Sequence, residues 1–308
     1  SPAAAAGLLR GDVIVSIGGT SAADLVAAGD FSALTADAEG DQVAIVVDRA
    51  GTPLAVTLTA AIFDLTPVEG GGVITLANGQ RAGYLALKDF IPKAEPALVT
   101  ALASICAAGA TELIVDLRYN GGGRVSVAAT LAALIAGSHG RGQVLATLRY
   151  NTRHVGSTTS VRFGGAGGAP FSRVVILTGP RTCSASELLI NGLSPHMTVV
   201  TVGSTTCGKP VGSNPVEGCG STISAVNFDV VNSQGVGHYY AGLPPTCTAT
   251  EDFTGAPGDP AEALTAAGLS YLDTGACPAV IPSPPRPAAA ALRRAALAEP
   301  GEPGGMTP

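Results

Sequence analysis

Two short motifs carry a hydroxyl and an isolated lysine at an interval that could bring them together. Ser184 stands in Thr182-Cys183-Ser184-Ala185-Ser186-Glu187, and Lys209 stands in Thr205-Thr206-Cys207-Gly208-Lys209. The interval of 25 residues leaves room for a helix, a loop and a returning strand. A hydroxyl becomes a nucleophile when a neighbouring base removes its proton, and lysine is such a base where burial favours its neutral form. The pair therefore predicts a serine–lysine hydrolase.

Backbone amides near these residues could stabilise the oxyanion that such a reaction forms. Amides at the start of a helix lack intrahelical partners, so the amide of Ala185 is one candidate donor. The glycines at 121–123 would let the backbone approach a substrate carbonyl closely. A flexible loop or a phosphate cradle is the alternative for these glycines, but no Gly-Lys-Ser/Thr follows them.

Glu187 lies three residues after Ser184 on the same face of the expected helix. It either orients the reactive residues by hydrogen bonding, or it is simply an acid favoured by the dipole of the first helical turn. Ser186 is expected to be a structural hydroxyl, and an N-cap without chemistry is the alternative for Ser184 itself.

The pattern of residues 67–278 alternates strands with helices, which predicts an α/β layered core. Residues 82–87, 113–117 and 174–178 are apolar strand patterns, and 95–108 and 125–135 have helical spacing. Residues 1–66 instead predict a small β-rich module that contains a hairpin with a glycine at its turn. In the core, the serine motif and the glycine run both follow a strand directly.

Three motifs in order resemble the C-terminal processing (tail-specific) peptidases, which are PDZ-bearing serine peptidases of the S41 class. They are the run from Asp116 through Leu117, Arg118, Tyr119 and Asn120 to Gly123, then Ser184-Ala185-Ser186-Glu187, and finally Gly208-Lys209. The resemblance implies a crotonase/Clp-protease-like layered core. Residues 1–19 are similar to the middle of a PDZ domain, with Gly11-Asp12-Val13-Ile14 followed by Gly18-Gly19.

The resemblance also implies roles for individual residues. Ser184 corresponds to the nucleophile, Lys209 to the general base, and Gly122 or Gly123 together with the amide of Ala185 to the oxyanion hole. The family often carries a glutamine where this chain has Ser213. The family's carboxylate-binding PDZ loop lies before the segment that matches, so we expect an N-terminally truncated PDZ-like domain over 1–66. A small flanking β-barrel is the alternative.

Composition excludes several other classes of protein. Hydrophobic residues make up 46% of the chain and charged residues 13%, so a folded protein is expected. The net charge of −6, without a basic stripe, argues against nucleic acid, and no apolar run is long enough to span a membrane. No motif for a cofactor or a metal is present. The four histidines, His139, His154, His196 and His238, are expected to lie in loops or at the surface.

Six cysteines form an even set, which favours an oxidising compartment. Cys207 and Cys219 flank a glycine-rich segment and could close a local loop, and Cys247 and Cys277 could pair at the end of the ordered region. A bridge from Cys183 or Cys207 could also tie down the reactive residues. The remaining residues, 279–308, are rich in Pro, Ala and Gly and predict a disordered tail.

These observations together predict an extracytoplasmic serine endopeptidase, periplasmic or associated with the cell envelope, that acts on protein or peptide substrates without a cofactor. Its domains are a PDZ-like module over 1–66, a catalytic core over 67–278 and a tail over 279–308. A catalytically inactive peptide-binding scaffold is the main alternative. A hydrolase or isomerase of the crotonase-like architecture is a second, although no acyl-CoA-binding feature is visible. The oligomeric state is not predicted.

Overall fold

A computed structural model describes residues 1–164 and 171–279. Their contacts divide the chain into two units. The described part of the first is Ser1–Leu65 with Asp252–Ala256, and that of the second is residues 66–164, 171–251 and 257–279. Most of the tail predicted from the sequence, residues 280–308, lies outside the described residues.

The first unit is rich in short strands, as its sequence pattern predicts. Its four-stranded sheet has the order β2-β1-β3-β4 and packs around a small core that includes Ile17, Leu25, Ile45 and Val47. Strands β3 and β4 form an antiparallel hairpin, and their turn has Ala50 and Gly51 at positive φ, as a two-residue hairpin loop of this kind requires. The elements are α1 (Pro2–Ala5), β1 (Val13–Ile17), β2 (Thr20–Ser21), α2 (Ala22–Ala28), β3 (Gln42–Arg49) and β4 (Thr52–Thr59).

The second unit is a mixed α/β layered structure. Its strands are β5 (Val68–Thr75), β6 (Arg81–Leu87), β7 (Glu112–Asp116), β8 (Val144–Tyr150), β9 (Thr159–Arg162), β10 (Arg173–Thr178), β11 (Thr198–Gly203), β12 (Val211–Ser213), β13 (Val216–Gly218), β14 (Ser221–Ile223), β15 (Val226–Asn232) and β16 (Cys247–Thr248). Its helices are α3 (Ala94–Ala107), α4 (Val125–Ala136), α5 (Ala185–Leu193) and α6 (Ala263–Thr274). Short 3-10 turns occur at Gly137–His139 and Val155–Ser157, and in the first unit at Ser32–Leu34.

The central sheet of this unit has the order β16-β11-β10-β7-β6-β5. Its strands are parallel except β5, which is antiparallel to β6. A second, antiparallel sheet has the order β12-β15-β8-β9, and β13 and β14 form a separate hairpin.

Both faces of the central sheet are covered, which explains the continuous apolar runs of its strands. Because side chains alternate along a strand, Leu113 and Val115 of β7 point into a core with α3, α4 and α5, whereas Ile114 packs with α6 on the other face. The strands and helices predicted for residues 82–178 are therefore confirmed, with ends that differ by one or two residues.

The cysteine pairing differs in part from the expectation. Cys247 and Cys277 form a disulfide as expected, but Cys207 pairs with Cys183 rather than with Cys219. The carboxyl ends of adjacent strands β10 and β11 lead directly into Cys183 and Cys207, whose Cα atoms are 5.2 Å apart. Cys106 and Cys219 are free thiols. Among the described residues, no helix is long and apolar enough to cross a membrane.

Candidate active site

Three neighbouring parallel strands direct their following loops to one edge of the central sheet. Strand β7 ends at Asp116, β10 at Thr178 and β11 at Gly203, and the strands are adjacent in that order. The carboxyl ends of parallel strands are a common position for ligand sites in α/β proteins. The amide of Cys183 donates to Asn120 O (3.1 Å) and that of Cys207 to Thr182 O (3.0 Å), so backbone hydrogen bonds join all three loops.

Ser184 immediately precedes helix α5 in an unusual backbone conformation. Its φ of 60° lies in the left-handed region, which a non-glycine residue rarely adopts. The residue is buried, and its Oγ makes no hydrogen bond to any described residue. A buried hydroxyl without a hydrogen-bond partner is costly in a fold.

Lys209 lies in the loop after β11, next to a glycine that the packing requires. Gly208 has a φ of +88°, and a Cβ at this position would come within 2.3 Å of Tyr240 O. A side chain there would therefore displace the backbone that carries Lys209. Lys209 itself is half-buried.

The carboxylate of Glu187 connects the backbones of these two residues. Its Oε2 accepts from the amides of Ser184 (2.9 Å) and Lys209 (2.8 Å), and its Oε1 accepts from the amide of Gly208 (2.8 Å) and the hydroxyl of Thr206. Glu187 is fully buried, where such charge-assisted bonds are strong. The sequence left open an orienting role and that of a first-turn acid, and the carboxylate bonds both the amide of Ser184 at the start of α5 and the amides of Gly208 and Lys209.

The glycine loop lies directly against the serine. A Cβ on Gly122 would come within 2.7 Å of Ser184 Cβ and 3.1 Å of Ala185 N, so only glycine fits at its φ of +113°. The amide of Gly122, however, donates to Asn120 Oδ1 (2.8 Å). The amides of Gly123 and Ala185 donate to no acceptor among the described residues.

Asn120 organises this loop, a role that the sequence did not reveal. Besides accepting from Gly122, its side chain donates to Leu87 O (2.9 Å), and its backbone oxygen lies 3.1 Å from Ser186 Oγ. Ser186 thus has the structural role expected of it. An asparagine two residues before a glycine is typical of a side-chain-capped turn, which was the available signal.

A second buried network lies at the end of β7. The guanidinium of Arg118 donates to both oxygens of Glu262 (2.6 and 2.9 Å) and to Asp116 (3.0 Å). Burial alone would raise the pKa of Glu262, but the bonds and charge of Arg118 and the bonds from Thr265 lower it to about 2. Tyr84 donates to Asp116 (2.8 Å), and burial followed by the charge of Asp116 raises the pKa of this tyrosine.

Tyr239 was also missed by sequence reasoning. Its side chain is buried, and its hydroxyl makes no hydrogen bond to a described residue. Burial raises its pKa, and so does the negative charge of Glu187. The loop that carries it is joined to the lysine loop, because Thr206 N donates to Leu243 O (3.1 Å) and Leu243 N donates to Thr206 Oγ1 (2.7 Å).

The other polar candidates have contacts elsewhere. A ring nitrogen of His196 is 3.0 Å from Val144 O, and one of His238 is 3.0 Å from Arg149. Ser213, at the position where the related family often has glutamine, is buried on β12. Within the described part of the chain, Cys183, Glu187 and Cys207 bring possible metal-ligand atoms within 4.8 Å, but the two sulfurs are joined in a disulfide and are not thiolates.

Comparison with known proteins assigns this arrangement to a family. Residues 81–245, more than half of the chain, match the model of peptidase family S41. The chain belongs to peptidase family S41. The matched range begins at β6 and contains Ser184, Glu187, Lys209 and the glycine loop.

Individual S41 relatives agree with this assignment. Carboxyl-terminal-processing proteases of Picosynechococcus and Synechocystis are 27% and 29% identical over 157 and 177 residues, which is 49% and 56% of this chain. These alignments span only 36% and 39% of the relatives' own lengths.

Solved S41 structures share the fold. A putative S41 protease of Bacteroides fragilis superposes with a TM-score of 0.74 and 26% identity, over 90% of this chain and 76% of that one. A photosystem II D1 C-terminal processing protease superposes with a TM-score of 0.55 and 24% identity, over 81% of this chain and 66% of that one. The second likeness concerns the fold alone.

Proposed function

We propose that this chain is a serine endopeptidase that uses Ser184 as nucleophile and Lys209 as general base. The observation that carries the proposal is the bonding of the Ser184 and Lys209 amides to one oxygen of Glu187. That shared oxygen holds the two backbones in register, and Glu187 acts as a positioning residue. Membership of a peptidase family supports the same chemistry, and so does the buried Ser184 hydroxyl, which has no hydrogen-bond partner in the described part of the chain.

The reaction proceeds through an acyl-enzyme. Nζ of Lys209 accepts the proton of Ser184 Oγ while that oxygen attacks the scissile carbonyl carbon. The tetrahedral intermediate then collapses as the C–N bond breaks, and the ammonium of Lys209 gives its proton to the leaving amine. Water attacks the resulting ester, again with Lys209 as base, and Ser184 is regenerated.

The oxyanion is stabilised by the amides of Ala185 and Gly123. Both amides are without an acceptor among the described residues, and Ala185 N is the first amide of helix α5, where the helix dipole favours negative charge. Gly122 contributes by its lack of a side chain, which allows the loop to lie against Ser184. The amide of Gly122 already donates to Asn120 Oδ1. We therefore assign the oxyanion-hole hydrogen bond to the amide of Gly123 rather than to that of Gly122.

Proteins or peptides with accessible C-terminal segments are the proposed substrates, in line with the names of the curated relatives. The four-stranded first unit is the proposed PDZ-like module, and it assists by adding a substrate strand to its sheet. An extracytoplasmic location is supported by the two disulfides, which persist in oxidising compartments.

The test is cleavage of an unfolded protein by the wild type and by the Ser184→Ala and Lys209→Ala variants. Removal of either reactive group is expected to lower kcat by about 10⁴-fold or more. Lys88→Ala is the matched control, because Lys88 is an exposed lysine of the same unit that pairs with Glu69. Its activity is expected to equal that of the wild type.

Equal activity in all four proteins would contradict the proposal. A wild type that binds the unfolded protein but never cleaves it, while remaining folded, would favour the peptide-binding scaffold instead.

A further inference from the structure

The disulfide between Cys183 and Cys207 lies next to both proposed reactive residues in the sequence. Cys183 directly precedes Ser184, and Cys207 lies two residues before Lys209. The bridge therefore joins the two backbone segments that carry the proposed nucleophile and base. It closes a loop of sequence separation 24 that contains α5 and β11.

Hydrogen bonds between the two segments lie close to this bridge. They include the hydrogen bond from Cys207 N to Thr182 O (3.0 Å) and the bonds that Glu187 accepts from Thr206, Gly208 and Lys209. Sγ of Cys207 lies 3.6 Å from Glu187 Oε2, so the disulfide packs against the carboxylate that aligns both backbones.

We propose that Cys183 and Cys207 are positioning residues, whose disulfide sets the register of Ser184 against Lys209. The inference rests on the proposed function. Two thiols cannot remain at bonding distance, so loss of the bond forces the segments apart. A displacement of about 1 Å between reacting groups can lower the rate by about 10²-fold.

The same bond makes activity sensitive to a dithiol reductant. The dithiol transfers two electrons and two protons, the S–S bond breaks, Cys183 and Cys207 become thiols, and the reductant becomes a cyclic disulfide. Cys207 is exposed and Cys183 half-buried, so the bond can be reached from solvent.

The second disulfide of the chain provides a matched control. Cys247 and Cys277 enclose helix α6 with a sequence separation of 30, close to the 24 of the site disulfide. Because the constraint that a disulfide places on the unfolded chain varies slowly with loop length, removal of either bond affects the unfolded state to a similar extent. A difference in catalysis then reports on position rather than on stability.

The experiment compares the wild type with the double variants Cys183→Ala/Cys207→Ala and Cys247→Ala/Cys277→Ala at a temperature where all three are folded. For the first variant we expect kcat to fall by about 10²-fold with KM changed by less than about twofold. For the second we expect both constants within about threefold of the wild type. A dithiol should reproduce the first result in the wild type and leave the first variant unaffected.

Hydrogen exchange at the amides of Gly208 and Lys209 gives a readout that does not depend on activity. Because both amides donate to Glu187, they are protected, and exchange should accelerate about tenfold in the Cys183→Ala/Cys207→Ala variant alone. If both double variants lose kcat equally, or if neither kcat nor exchange changes in the first variant, the positioning role is wrong. If the wild type never cleaves substrate, the proposed function fails, and the exchange result alone decides the positioning role.

Discussion

Two buried glutamates near helix starts differ in the partners that hold them. Glu187 lies in the first turn of α5, and Glu262 is the N-cap of α6; both are fully buried. The hydrogen bonds to Glu187 come from three backbone amides and a hydroxyl, whereas Glu262 binds the guanidinium of Arg118 through both oxygens. The first carboxylate aligns loop backbones, and the second joins the end of β7 to α6.

This difference distinguishes the loops of the candidate site from the strands and helices that support them. The ion pair of Arg118 with Glu262 belongs to a buried network that also contains Asp116, and loss of Glu262 removes one of the carboxylates that balance the buried guanidinium. A carboxylate held by amides determines where those amides lie, which matters most where chemistry depends on small distances. Changes at Glu262 should therefore affect stability, and changes at Glu187 should affect turnover.

The largest effect on stability is expected for Glu262→Gln. Arg118 is only 2% exposed, and the variant deprives it of the charge that both its terminal nitrogens contact. Because Asp116 still contacts Arg118, we expect the free energy of unfolding to fall by about 3 kcal/mol, the lower end of the cost of breaking a buried pair. Urea unfolding measures it, with Glu95→Gln, an acid in the first turn of α3, as the control. Equal stability of the two variants would contradict the claim that Glu262 stabilises the fold.

The pH dependence of stability should show the same pair. The pKa of Glu262 falls from an ordinary 4.5 to about 2 on folding, so its contribution is complete above about pH 4.5 and is lost as the pH falls toward 2. The difference corresponds to about 3 kcal/mol. Unfolding free energies measured across this range should fall less steeply in Glu262→Gln, and parallel curves would be incompatible with the pair.

Two buried tyrosines allow the stability of the two regions to be compared. Tyr84→Phe removes a hydrogen bond to buried Asp116, which costs about 1.5–3 kcal/mol because the acceptor is a carboxylate. Tyr239→Phe removes a buried hydroxyl without a described partner, so stability should stay the same or rise by about 1 kcal/mol. Thermal unfolding of both variants gives the comparison, and a larger loss for Tyr239→Phe would reverse it.

A modest effect on turnover is expected for Thr206→Val. The variant keeps the side-chain shape but removes the hydroxyl that donates to Glu187 and accepts from Leu243 N. We expect kcat to fall about tenfold, equivalent to about 1.4 kcal/mol. The neighbouring exposed Thr205, substituted by Val, is the matched control and should be unchanged. Equal kcat values in the two variants would show that Thr206 does not act through Glu187.

Local patterns in the sequence were sufficient to predict the layered α/β core. The apolar runs before the glycine loop and before Ser184 predicted β7 and β10, since a buried strand followed by a turn has a strong local signature. That β10 and β11 lie side by side was not visible, and for this reason the pairing of Cys183 with Cys207 was missed in favour of the nearer Cys219.

Long-range partners were beyond the sequence for the same reason. Arg118 and Glu262 are 144 residues apart, and nothing in the spacing of either indicates the other. The hydroxyl of Tyr239, which has no hydrogen-bond partner among the described residues, likewise depends on how its loop packs. Glu187 could be placed on the face of Ser184, but its bond to the Lys209 amide required the fold of the loop after β11.

The kcat of Glu187→Gln, measured beside Glu262→Gln on an unfolded protein substrate, tests the central claim most directly. The amide nitrogen of Gln cannot accept the bonds that one carboxylate oxygen now accepts, so the backbone of Ser184 or of Lys209 must move. We expect kcat to fall about 100-fold, equivalent to about 2.7 kcal/mol, while folded Glu262→Gln stays within about threefold of the wild type. Equal kcat values in the two folded variants would contradict the claim that Glu187 aligns the reactive pair.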